Sequence, residues 1–329
     1  MSKERILSGM RATNSRLHLG NYEGALKPLA SLQDKYDMFV FVADWHSYTT
    51  MGEDAGDIGA QSISIAKDYI AGGLDPSKTA LFLQSDVVEH AELHLAFSMV
   101  VGVGKLRRNP TWKGHIDDHG GNEEGLSYGL LGYPVLQAAD ILLYKPYGVP
   151  VGKDQAPHLE LSREIGRSFN ARFGNVFPEF KSIINEDTTY SAVPGLDMRK
   201  MSKSYDNGIY LNDTPEQTAI RIKGAFTTPT KIKKTDPGIP EGCAVCQFLK
   251  MYHPDWQRLW AEDVAGERGC MQNKTELTDV INEYLRPFRD KRATISDDDV
   301  RDVLKEGAKK ARLVASATME EVRRAMKLG

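Results

Sequence analysis

The stretch from Arg5 to Ala43, RILSGMRATNSRLHLGNYEGALKPLASLQDKYDMFVFVA, decides the fold. Its opening, Arg5 to Gly9, predicts a strand, and Met38 to Ala43 (MFVFVA) predicts a second that is apolar at every position. Between them Ala25, Leu26, Leu29 and Leu32 recur at helical spacing. A strand without polar alternation is buried on both faces. Strand, helix and strand of this kind indicate a parallel sheet with helices on both sides. Ala80 to Gln84 (ALFLQ) repeats the strand pattern. In ADILLYKPYGVPVGKDQ a further apolar run ends in an expected turn at Pro150, Val151 and Gly152, and a helix follows with Leu161, Ile165 and Phe169 four residues apart. The expected class is α/β, a Rossmann-like parallel sheet.

After Ser204 the texture changes. From Thr214 the pattern is mostly helical, broken at Pro237 and Pro240, and the tail from Asp299 predicts two amphipathic helices. The expected division is a nucleotide-binding catalytic domain over 1–204 and an all-helical region over 205–329, whose last helix has room to pack back on the first unit.

Composition narrows the function. The chain has 329 residues, 41% hydrophobic and 26% charged, which is ordinary for a globular protein. A formal net charge of -3 excludes a global polycation, so a nucleic-acid partner needs local basic patches. The densest are KLRRNPTWK (Lys105 to Lys113) and TPTKIKKTDP (Lys231 to Lys234), which read either as solvated faces or as contacts to RNA phosphates. Three cysteines argue against a disulfide framework and for a reducing cytoplasm. MSKERILSGM carries no signal-peptide apolar region, and no run approaches the ~18 apolar residues of a membrane span.

Three constellations carry chemistry. His18, Leu19, Gly20 and Asn21 fall between the first strand and a helix expected to begin near Tyr22. Unsatisfied N–H groups at a helix start attract phosphate, glycine admits a flat group close to the backbone, and ligands of open α/β sheets bind at the strands' carboxyl ends. In GYPVLQAADILLY, Tyr133, Gln137 and Asp140 share one helical face, and an aspartate in so apolar a stretch needs hydrogen-bond donors. Gly152-Lys153-Asp154-Gln155 then opens the next helix, with Asp154 suited to ribose hydroxyls. Finally, PGLDMRKMSKSYDNG, from Pro194, brackets Lys200-Met201-Ser202-Lys203-Ser204 with glycines and a proline, as a mobile cationic clamp for a polyanion would be. Each has an ordinary alternative: a helix cap, a buried ion pair, a solvated loop.

In this order H-x-G-N, Y-x3-Q-x2-D, G-x-D-Q and KMSKS resemble class I aminoacyl-tRNA synthetases, and the spelling is closest to the bacterial tryptophanyl-tRNA synthetases. The similarity extends to the C-terminal GAKKARLVASATMEEVRRAMKL, so it covers nearly the whole chain. The resemblance implies ATP with Mg²⁺, L-tryptophan and tRNA(Trp) as reactants, and a homodimer. It implies catalytic roles for His18, Asn21, Lys200, Lys203 and Gln155. ATP would be held by Arg11, Ala12, Thr13, Gly20 and Asn21, by Gly152, Lys153 and Asp154, and by Val193 with Lys200, Met201, Ser202, Lys203 and Ser204. Tryptophan would be held by Leu7, His46, Tyr133, Gln137, Val151 and Gln155, with Asp140 accepting from the indole N–H.

The chain also departs from the family. Arg11, Ala12 and Thr13 stand where a G-x-Q-P-S-G pattern is usual, and Gln137 stands where many relatives have methionine. A glutamine three residues before that aspartate also occurs in tyrosyl-tRNA synthetases, which makes a tyrosine-specific enzyme the nearest alternative. A synthetase-like paralogue without catalysis is the next. Some family members bind an iron–sulfur cluster in the helical region on four cysteines. This chain has Cys243, Cys246 and Cys270 there, with Asn273 at the last ligand place, so no such cluster is expected. Zinc on the three cysteines and His253 is a minor alternative. His115 and His119 are expected in a solvated loop, and His90 and His94 on an exposed helical face.

Overall fold

The computed structural model describes residues 3–12, 16–49, 56–152, 156–184, 193–202 and 205–328. Five parallel strands form one sheet in the order β3-β2-β1-β4-β5. They are β1 (Arg5–Arg11), β2 (Asp37–Ala43), β3 (Thr79–Leu83), β4 (Gly148–Val151) and β5 (Lys181–Ile184). Side-chain alternation along β1 and β2 divides the core between two faces. Ile6, Met38, Val40 and Val42 point to one, and Leu7, Phe39, Phe41 and Ala43 to the other. Where a turn is expected, Pro150 and Val151 instead continue β4, opposite Ile183 and Ile184 of β5. Only Ile6 and Gly148 pair across β1 and β4, and Pro150, two residues on and without an N–H, cannot extend that ladder.

Between β1 and β2 run α1 (Leu19–Asn21), a wider π-helical segment (Tyr22–Leu26) and α2 (Lys27–Ser31). Helix α3 (Asp44–Tyr48) follows β2, and α4 (Ile58–Ala71) leads to β3. Four helices separate β3 from β4: α5 (Glu89–Ser98), α6 (Val103–Leu106), α7 (Pro110–Asp118) and α8 (Tyr128–Leu142). His115 thus lies on α7 with His119 as its C-cap, in place of the expected loop. Helix α9 (Ala156–Phe173) precedes β5. The remainder is helical: α10 (Pro215–Lys223), α11 (Ala244–Tyr252), α12 (Trp256–Val264), α13 (Cys270–Thr294) and α14 (Asp297–Met326).

The tail forms one 30-residue helix instead of two. Ser296 and Asp299 make a capping box at its start. Asp297 to Asp299 and the terminal pair Arg323 and Arg324 place charges that complement the helix dipole. Helix α14 lies along the edge strand β3 so closely that a Cβ at Gly307 would overlap the Leu81 carbonyl oxygen. The exposed edge of the sheet is thereby covered. Leu277, Ile281, Leu285 and Phe288 of α13 share a single core with Ile6 and Val40 of the sheet. Among the described residues no helix is long and apolar enough to cross a membrane.

Candidate active site

The first site element forms at the carboxyl end of β1. His18 caps α1 reciprocally: the Asn21 N–H donates to His18 Nδ1, and the His18 N–H donates to Asn21 Oδ1, both at 3.2 Å. Because Nδ1 accepts, the neutral imidazole carries its proton on Nε2. Ala12 is buried, with its N–H donating to Ser47 Oγ at 2.9 Å, while Arg11 ends β1 with an exposed side chain.

This turn is built into the segment around Lys200. His18 bridges Tyr210, the Leu19 N–H donates to the Ile209 carbonyl at 2.9 Å, and the Leu211 N–H donates to that of Leu17 at 2.8 Å. Buried Met201 packs between two glycines: a Cβ at Gly20 would stand 3.8 Å from Met201 Cβ, and one at Gly208 would stand 3.4 Å from Met201 Cγ. The Gly208 position is also closed by His18, at 3.1 Å. Val193 is buried, and Lys200 is exposed. The guanidiniums of Arg16 and Arg221 lie 4.2 and 4.6 Å from the centre of the Tyr210 ring, and both pair with buried Asp213. Two stretches far apart in sequence are thus one structural unit.

A second element lies deeper. Asp140, on α8, is buried yet has three hydrogen-bond partners: Gln84 Nε2 and His90 Nδ1, each 2.7 Å from Oδ1, and His46 Nε2, 3.0 Å from Oδ2. Burial alone would raise its pKa. The bonds from His46 and His90 outweigh that and hold the carboxyl below the ordinary carboxylate range. Gln84 is oriented in turn, since its Oε1 accepts from the His46 N–H at 3.2 Å. Burial and the nearby Asp140 push the Tyr144 hydroxyl well above its ordinary pKa, so it remains a donor. With Tyr144 Oη 2.9 Å from His90 Nε2, every atom is satisfied when Tyr144 donates to His90 and His90 donates to Asp140.

Tyr133 meets His46 edge to face at 6.4 Å, Leu7 is buried on the same face of the sheet, and Gln137 and Val151 are half-buried. Gly152 follows β4 and is exposed. Thr13, Lys153, Asp154, Gln155, Lys203 and Ser204 lie outside the described residues.

The exposed face expected for His90 is corrected: His90 is completely buried, because that side of α5 packs on α8, and His94 is half-buried. Gln84, His90 and Tyr144 escape a sequence reading as parts of the Asp140 network. An apolar run around Asp140 signals that donors must exist; it does not say which.

The cysteine region holds an ion network. Lys231, from one of the basic runs, is buried; its Nζ donates to the carbonyls of Asp236 (2.6 Å) and Asp263 (3.2 Å) and stands 3.5 Å from the Asp263 carboxylate. Asn273 donates to Asp263 at 2.9 Å and accepts from Arg268 at 2.7 Å. A hydrogen bond from Cys246 lowers the Cys243 thiol to about 7. His253 pairs with Glu276 at 3.1 Å. Among the described residues no cluster of three or more His, Cys, Asp or Glu is disposed to hold a metal.

Comparison with known proteins places these features. The model of a family described as tRNA synthetases class I (W and Y) matches residues 2–286, and the chain belongs to that family. The tryptophan–tRNA ligase of Thermotoga maritima is 42% identical over 330 residues, covering 98% of this chain and 99% of that protein. That of Aquifex aeolicus is 36% identical over 397 residues, covering 98% and 100%. The crystal structure of Campylobacter jejuni tryptophanyl-tRNA synthetase, complexed with ADP and tryptophan, superposes with a TM-score of 0.88 at 32% identity, covering 98% and 100%. Within the family the chain is of the bacterial tryptophanyl type.

Proposed function

We propose that the chain is a tryptophan–tRNA ligase working through an enzyme-bound adenylate. The observation that carries this reading is the joining of the His18 turn to the Lys200 segment, in the same chain as a buried, ionised Asp140. In the first step a tryptophan carboxylate oxygen attacks the α-phosphorus of ATP. The bond to the α,β-bridging oxygen breaks, and pyrophosphate leaves with the electron pair. In the second, a terminal ribose hydroxyl of tRNA(Trp) attacks the acyl carbon and AMP leaves.

Such a displacement needs in-line positioning and cations that meet charge as it develops. His18 through Nε2, Asn21, Lys200 and Lys203 are assigned to the phosphates. Arg11, Ala12, Thr13, Gly20, Gly152, Lys153, Asp154, Val193, Met201, Ser202 and Ser204 are assigned to the rest of ATP. A Cβ at Gly20 would stand 3.1 Å from His18 Nδ1, so a side chain there would press on the imidazole assigned to the phosphates. Mg²⁺ enters as the counter-ion of ATP.

A carboxylate accepts about four hydrogen bonds, and three positions on Asp140 are taken, leaving one on Oδ2. We assign it to the indole N–H. Leu7, His46, Tyr133, Gln137, Val151 and Gln155 form the remainder of the amino-acid pocket. We assign 1–204 to catalysis and 205–329 to the tRNA anticodon. Exposed Val88, Leu95, Met99, Val103 and Tyr128, on and beside α5, α6 and α8, support a homodimer through that face. Three free thiols support a reducing cytoplasm.

ATP–pyrophosphate exchange across all twenty amino acids tests the reading, with tryptophan expected to drive exchange. A preference for tyrosine would move the assignment to the tyrosine-specific enzyme.

A further inference from the structure

The segment carrying Lys200 is organised around one amide. Asn207 is 5% exposed, although it lies in a loop and is polar. Its Oδ1 accepts from the Ser202 N–H at 2.8 Å. Its Nδ2 donates to the Lys200 carbonyl at 3.1 Å and to Asp197 Oδ1 at 2.7 Å. Its own carbonyl accepts from the Leu196 N–H at 2.8 Å. Asp197 Oδ1 also accepts from the Arg199 N–H (3.0 Å), and its Oδ2 accepts from Arg199 Nε (2.6 Å). Burial would raise the Asp197 carboxyl, but the bonds from Asn207 and Arg199 keep it lowered, and hence ionised. Gly195 makes the approach possible, because a Cβ there would overlap Asn207 Nδ2.

These contacts grip the backbone on both sides of Met201, whose side chain is anchored against Gly20 and Gly208. The stem of Lys200 therefore starts from a fixed point. We propose that Asn207, with Asp197 as its counterpart, is the positioning residue that sets where Lys200 stands when pyrophosphate departs. The proposal rests on the ligase reading above. Asn207 acts through Lys200 and is assigned no contact with a reactant. A backbone shift of an ångström at such a site costs up to about 100-fold in rate. Tryptophan, bound around Asp140, should not sense it.

The variants are Asn207→Asp, which keeps the shape but faces the Asp197 carboxylate with a second one, Asn207→Ala, and the exchange Asp197→Asn with Asn207→Asp. Single-turnover adenylate formation by the full chain is measured beside tryptophan affinity in the absence of ATP and the thermal midpoint. The expected result for Asn207→Asp is a chemical step slowed about 10- to 100-fold with tryptophan affinity within about twofold of wild type. The exchange variant should recover at least about fivefold, because the amide introduced at position 197 can donate to the carboxylate introduced at position 207, though the Lys200 carbonyl loses its donor. An unchanged chemical step in Asn207→Asp and Asn207→Ala would overturn the proposal. So would a fall in tryptophan affinity and thermal midpoint parallel to the rate, with no recovery in the exchange, which would make Asn207 a general stabiliser. The ligase reading fails differently, by wild type showing no tryptophan-dependent adenylate.

Discussion

Replacing Asp140 by asparagine removes one charge from a site where every identified neighbour is a donor. Gln84 cannot rotate its amide without breaking the bond from the His46 N–H to its Oε1, so Nε2 stays aimed at Oδ1. His90 presents Nδ1 to the same oxygen. The asparagine carbonyl must therefore take the Oδ1 place, and its NH₂ falls where Oδ2 was, opposite His46 Nε2. A change of tautomer lets His46 accept one amide hydrogen. The other points toward the position assigned to the indole N–H, donor against donor. The lost charge-assisted bond is worth about 1.5–3 kcal/mol, which is about a 10- to 150-fold rise in the KM for tryptophan. The turnover number should change far less, since this contact is alike in the ground and transition states. Exchange kinetics with tryptophan and with its benzothiophene analogue, where sulfur replaces N–H, provide the assay. Wild type should activate the analogue poorly, and Asp140→Asn should lose much of that discrimination. Tyrosine should remain a poor substrate for both. Unaltered KM and unaltered discrimination in a folded variant would refute the reasoning and leave Asp140 as a buried structural carboxylate.

Lys203→Ala should slow adenylate formation by about 30- to 1000-fold, or about 2–4 kcal/mol, with tryptophan binding largely retained; single-turnover kinetics measure both. The depressed Asp140 carboxyl stabilises the fold above its unfolded pKa of about 3.9, and this contribution disappears as pH falls through the lower folded value. Denaturant titrations should accordingly show the stability gap between wild type and Asp140→Asn narrowing below about pH 4. Gly307→Ala should destabilise by about 1–3 kcal/mol, because α14 must lift from the Leu81 carbonyl; a melting temperature equal to wild type would count against the close packing. Iron analysis of purified protein should find no stoichiometric cluster, and about four irons per chain with visible charge-transfer absorption would contradict the assignment at Asn273.

The strands Arg5–Gly9 and Met38–Ala43 are legible because a fully buried parallel strand is apolar at every position, a signal local to a few residues. KMSKS and H-x-G-N are legible because their chemistry needs particular side chains at fixed short spacing. Helix α14 reads as two because an amphipathic pattern marks a buried stripe without stating that the helix continues through it. The turn expected at Pro150 is misplaced for a similar reason: proline usually ends a strand, and here the neighbouring ladder is merely cut short.

By itself, then, the sequence determined the parallel sheet, the helical second half and the residue types suited to phosphate and indole, since each depends on periodicity or on chemistry carried by neighbours in the chain. Tertiary structure decided which groups meet. Asp140 finds His90, 50 residues away, only because α5 and α8 pack against each other, and it finds Gln84, 56 residues away, only because the end of β3 brings that amide beside α8. Lys231, which reads as a surface cation, is drawn inside by the Asp236 carbonyl of its own loop and by the carbonyl and carboxylate of Asp263 on α12. His18 and Met201 come into one wall through backbone bridges at Tyr210 and the space left by Gly20 and Gly208. A hydrogen bond or a packed contact depends on distance in space, and the chain alone specifies only distance along itself.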